Sequence, residues 1–165
     1  MEAIIRNAEE TYQQGMGELR YGRPREALGM FRRAITISSE ATEPTKRRAR
    51  YLSYCGICVF NTGGPLAEAY TLCRRAVEID GTDPNLWRNL ARVAGAAGRQ
   101  GQAYRALSHA LGVNPDHRGV LRDLRRLGLR RSPVLFFLSR ANPFNVVLGR
   151  IRSWRAPAEA RRSTK

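Results

Sequence analysis

Apolar residues recur along this chain at intervals of three and four, the spacing of one face of a helix, and seldom at intervals of two. In EALGMFRRAITIS the residues Ala27, Phe31 and Ala34 share a face. EAYTLCRRAVEID repeats the arrangement with Ala69, Cys73 and Ala76, and QAYRALSHALGVN with Ala103, Leu107 and Ala110. The 8 prolines fall mostly between such segments, and alternating Val, Ile and Thr is nearly absent, so the chain reads as all-helical without a sheet. Asp83-Pro84 and Asn114-Pro115 each offer a capping side chain followed by proline, the signature of a helix start. The second of these predicts a helix over 117–130 with Val120, Leu121, Leu124 and Leu127 on one face and arginines on the other.

The shared ending is A-x-x-x-Φ-x-x-A, with Φ apolar or cysteine, and Ala69 and Ala103 lie 34 residues apart. With Trp87, Leu90, Ala91, Ala94, Gly98, Ala103, Leu107, Ala110 and Pro115 at the large, small and helix-breaking positions, this segment resembles the tetratricopeptide repeat. Ala94 stands where that family often has tyrosine. An earlier unit supplies Gly15, Gly22, Ala27, Phe31 and Ala34 in register, with Thr11 where tryptophan is common. A middle unit supplies Leu52, Cys55, Gly56 and Val59, provided that the turn at 61–65 holds one extra residue. The interval from Ala27 to Ala69 is 42 residues, and the surplus falls in SSEATEPTKR, residues 38–47.

The resemblance covers roughly residues 7–130 and implies an all-α solenoid of antiparallel helix pairs. Its three repeats lie at about 8–41, 49–82 and 84–117, followed by a capping helix at 117–130.

Cys55 and Cys58 form a C-x-x-C, which invites a redox or metal reading. A reactive pair needs its first cysteine at a helix N-terminus after a strand, whereas this register puts Cys55 mid-helix at an apolar position beside Gly56. A structural zinc site needs four ligands, and beyond Cys73 only His109 and His117 could add to it, both from unit three or later. The sequence also lacks G-x-S-x-G, H-E-x-x-H and a glycine-rich phosphate loop. The cysteines therefore read as packing residues, and the chain as non-catalytic, with no cofactor.

The formal net charge is +15, and residues 117–165 hold 13 basic and 2 acidic side chains against 16 and 12 in the rest. All but two of the cations are arginine, a composition that reads as bacterial. MEAIIRNAEE lacks the apolar stretch of a signal peptide and no run is long enough to span a bilayer, so a reducing cytoplasm with free thiols is expected. After Ser132-Pro133 comes the short apolar, strand-like run Val134–Leu138. Asn142-Pro143 then opens a basic amphipathic helix with Phe144, Val147, Leu148, Ile151 and Trp154 on one face. That face could fold onto the solenoid, dock on a partner or a second copy of the chain, or lie on an anionic membrane at its inner face. Residues 156–165 read as a disordered tail.

In the tetratricopeptide family the first helix of each pair lines a concave groove that holds a peptide or helix of a partner, so the resemblance implies an adaptor or scaffold. Position by position, the groove would present Tyr12, Gln13, Met16 and Arg20, then Ser53, Tyr54 and Ile57, then Asn85, Arg88, Asn89 and Arg92. The subclass that grips chaperone C-termini uses lysine, arginine and asparagine where this chain has Tyr12, Met16, Tyr54, Asn85 and Asn89, so that clamp is missing. Aromatic and thioether surface beside Arg88 and Arg92 suits an amphipathic or acidic peptide. The tyrosines can equally be inter-helix packing. A reading from another class has the basic C-terminal segment acting at a membrane surface or on nucleic acid, where binding would be nonspecific and salt-sensitive.

Overall fold

The computed structural model describes residues 2–39 and 46–127. Contacts divide the chain into Met1–Gly128 and Leu129–Lys165, and only the first of these units carries described residues. The apolar run, the amphipathic face from Phe144 to Trp154 and the tail lie outside the described residues, as does most of the linker between the first two repeats.

The described residues form seven helices: α1 (Glu2–Arg20), α2 (Pro24–Ser39), α3 (Lys46–Asn61), α4 (Leu66–Ile79), α5 (Pro84–Ala96), α6 (Gln100–Val113) and α7 (Arg118–Arg126). Helices α1 and α2, α3 and α4, and α5 and α6 pair as hairpins. Each second helix packs on the first helix of the next pair, and α5 touches both α3 and α7. The repeated stripe accounts for this stacking. Ala27, Phe31, Ala34, Ala69, Cys73, Ala76, Ala103, Leu107 and Ala110 are all 0% exposed.

Each hairpin turns through a glycine with positive φ: Gly22, Gly63 and Gly98 at 73°, 76° and 73°. The residue after each donates its N–H back to a carbonyl in the last turn of the first helix: Arg23 to Glu18, Gly64 to Val59 and Arg99 to Ala94. This is the left-handed glycine stop that satisfies orphan carbonyls. The middle turn holds one more residue than its neighbours, with Pro65 immediately before α4.

Asp83 caps α5 as expected, its carboxylate accepting the N–H of Asn85 at 2.8 Å with Pro84 following. The start of α7 differs from expectation. Asn114 accepts the N–H of Asp116 and closes a turn over Pro115 and Asp116, after which His117 is extended and its Nδ1 accepts from Val120 N–H at 3.2 Å. The cap is therefore His117, and α7 begins at Arg118, because the His117 ring is also hydrogen-bonded through Nε2 to Asn85 at 3.2 Å. Val120 is fully buried, with Leu124 and Leu127 packed partly against the same core.

Candidate functional site

Glycines in α1 and α3 set how closely the first two pairs approach. A Cβ on Gly15 would lie 2.8 Å from Phe31, and one on Gly56 2.7 Å from Cys73 Sγ. With one side of α1, α3 and α5 pressed against its partner, polar side chains tie these helices and α7 to one another.

The tie between α1 and α3 centres on Glu9. Its carboxylate accepts from the Tyr51 hydroxyl at 2.9 Å and from Gln13 at 2.9 Å, with Arg50 at 3.6 Å and Arg47 at 3.9 Å. Above it Tyr12 packs against Tyr51, Phe31 and Tyr54 at ring separations of 5.0, 5.6 and 5.9 Å. Arg50 covers the Tyr12 ring at 5.6 Å. Burial raises the Tyr12 hydroxyl above its ordinary value, helped by Tyr54, and burial plus the Glu9 hydrogen bond raises Tyr51.

Between α3 and α5, buried Asn89 donates to Ser53 Oγ at 3.0 Å. Between α5 and α7, Arg88 Nε reaches Asp123 at 2.6 Å, with the guanidinium lying against Gly119, and Asn85 meets His117.

The residues expected in a groove therefore divide. Tyr12, Ile57 and Asn89, at 4%, 4% and 6% exposure, belong to the walls, as does buried Ser53. Asn85 and Arg88 hold α7. Met16 and Tyr54 are half-buried, and Gln13, Arg20 and Arg92 are exposed. Sequence reasoning missed Glu9, Arg50, His117 and Asp123. Glu9 and Arg50 occupy the same register position as Asn85, a signal that could have found them. Nothing local marked Asp123.

The cysteines are free and buried. Burial pushes the thiols up to about 11 for Cys55 and about 12 for Cys58 and Cys73. Such thiols pack; they are poor nucleophiles because little thiolate forms near neutrality. Among the described residues, no group of three or more His, Cys, Asp and Glu could hold a metal ion, and no helix is long and apolar enough to cross a membrane.

No protein-family model and no curated protein sequence matches this chain. Solved structures do. The first tetratricopeptide domain of Spaghetti, bound to the HSP90 peptide SRMEEVD, is 14% identical over 74% of this chain and 90% of that one, with a TM-score of 0.62. The Arabidopsis OM64 tetratricopeptide domain is 16% identical over 75% of this chain and 96% of its own, TM-score 0.64. YrrB, described as having an unusual peptide-binding site, is 21% identical over 72% of this chain and 57% of its own, TM-score 0.59. These likenesses establish the tetratricopeptide-repeat fold.

Proposed function

We propose that this chain is a non-catalytic adaptor whose face built from α1, α3, α5 and α7 holds a segment of a partner protein. One observation carries the reading. Ties at Glu9–Tyr51, Ser53–Asn89, Asn85–His117 and Arg88–Asp123 fix the helices and leave Arg20 and Arg92 exposed, while Met16 and Tyr54 rest half-buried on the first core cluster, so the surface is preformed and its accessible groups are thioether, aromatic and cationic. A rigid surface loses little freedom on binding, which favours affinity. Aromatic and arginine side chains are also the types that most often anchor a partner.

Peptide recognition by the Spaghetti domain supports the class of partner, not its identity. Of the clamp positions here, Tyr12 and Asn89 are buried and Asn85 is engaged by His117. Titration with SRMEEVD is accordingly expected to show no micromolar binding.

The adaptor reading is tested by capturing partners with the full chain and with Tyr54→Ala and Arg92→Glu variants. Loss of the same protein from both variants supports it. Retention by both overturns it. Arg88 is unsuitable for this test, because its removal also frees α7.

A further inference from the structure

At the α5–α7 end of this face, Phe60, Ala91, Gly95, Leu107 and Leu127 enclose a pocket of about 270 Å³. Its rim carries Arg92 and Arg126, both exposed. The carboxylate in its wall, Asp123, is already matched by Arg88 at 2.6 Å, so the mouth keeps a positive excess. Small-molecule sites enclose roughly 300–1,000 Å³ and a water takes roughly 30 Å³, so this volume suits one or two apolar side chains. None of the clamp positions contributes to it.

We infer that this pocket receives an apolar side chain of a partner peptide that carries Asp or Glu beside that side chain. The inference rests on the reading of this face as a peptide-binding surface. An apolar side chain entering the pocket leaves water, while the neighbouring carboxylate meets two guanidinium groups, which favour carboxylates in paired geometry. A lysine or arginine next to the apolar residue would be repelled, so the same rim excludes basic segments.

Gly95 gives a way to close the pocket. A Cβ there would lie 3.6 Å from Leu127 and 3.8 Å from Ala103, ordinary contact distances, so Gly95→Met can fill the space from within α5.

The test pans the full-length protein against a displayed library of random heptapeptides, flanked on both sides so that only side-chain carboxylates are offered. Enriched peptides are expected to pair Leu, Ile, Met or Phe with an adjacent Asp or Glu. Binding should weaken by about tenfold or more in Gly95→Met and in the double variant Arg92→Glu with Arg126→Glu, the scale of a hot-spot loss. The double variant should instead select apolar residues beside Lys or Arg. Circular dichroism and melting verify that each variant folds. Enriched peptides that ignore all three substitutions yet are lost in Tyr54→Ala overturn the pocket and leave the groove reading standing. Failure of the folded wild-type protein to enrich any peptide overturns both. A wild-type dimer that Arg92→Glu dissociates makes a second copy the occupant and likewise overturns the inference.

Discussion

At Gly56 the second hairpin has no room for a methyl group, since a Cβ would lie 2.7 Å from Cys73 Sγ and 2.8 Å from the carbonyl oxygen of Ala69. Backbone cannot yield as a flexible side chain does, so Gly56→Ala is expected to cost about 1–3 kcal/mol, read as a lower urea midpoint. Gly29 is the internal control. It lies mid-helix in α2 with nothing within 4 Å of an added Cβ, so Gly29→Ala should gain about 0.5–1 kcal/mol. The buried thiols make a pH prediction with a definite sign. Cys55, Cys58 and Cys73 are raised by burial from 9.0 to about 11, 12 and 12, so the folded chain keeps protons that the unfolded chain releases. Their contribution is full below about pH 9 and is lost as pH rises through about 11 to 12. Tyr12 and Tyr51, raised chiefly by burial, act in the same direction. The urea midpoint should therefore hold steady near neutrality and fall through the alkaline range. A variant with all three cysteines replaced by alanine should fall less steeply.

For an element, the clearest case is α7, whose position depends on two side chains reaching back to α5. His117→Ala removes the acceptor for Val120 N–H and the contact with Asn85, and loss of a cap of this kind costs about 0.5–2 kcal/mol. Asp123→Asn leaves Arg88 partly buried without its counter-charge, at a cost of about 1–3 kcal/mol. Hydrogen exchange is expected to show both losses in α7 and the end of α5, with α1 and α2 unchanged. Equal loss of protection in all helices would contradict this. The same helix shows what sequence could tell. The hairpins were legible because each glycine stop and each stripe of small and large residues is encoded within a few helical turns. The cap falls at His117 and not at Asn114 because its partner Asn85 is 32 residues earlier, and Arg88 holds α7 in place of lining a groove because Asp123 is 35 residues later. Tyr12 was ambiguous for a similar reason. Whether a first-helix tyrosine faces outward depends on Tyr51 and Arg50 of the next repeat, and residue spacing says nothing of that rotation.

Across the described residues as a whole, the core falls into two clusters. One gathers Ala8, Tyr12, Phe31, Tyr51, Cys55 and Cys58 around the first hairpin, and the other runs through the second and third hairpins to Val120. Leu28, Ile35 and Leu72 pack against both. In a stack where each pair meets only its neighbours, stability is close to a sum of unit and interface terms, so damage should stay near its site. Phe31 is the sharpest probe. It is 0% exposed, lies 5.6 Å from Tyr12 and 6.0 Å from Tyr54 by ring centres, and bears on Gly15. Phe31→Ala removes the centre of the first cluster at a cost of about 3–5 kcal/mol. Exchange protection should then collapse in α1 and α2 while α5 and α6 keep theirs, and urea unfolding should split into two steps. Leu107→Ala, at a fully buried site in the second cluster, should produce the opposite gradient. If both variants instead unfold all helices in one transition, the three shared residues couple the clusters strongly enough that the stack behaves as a single cooperative body. The aromatic cluster would then stabilise the α5–α7 end as much as its own hairpin, and binding there would respond to substitutions at Phe31.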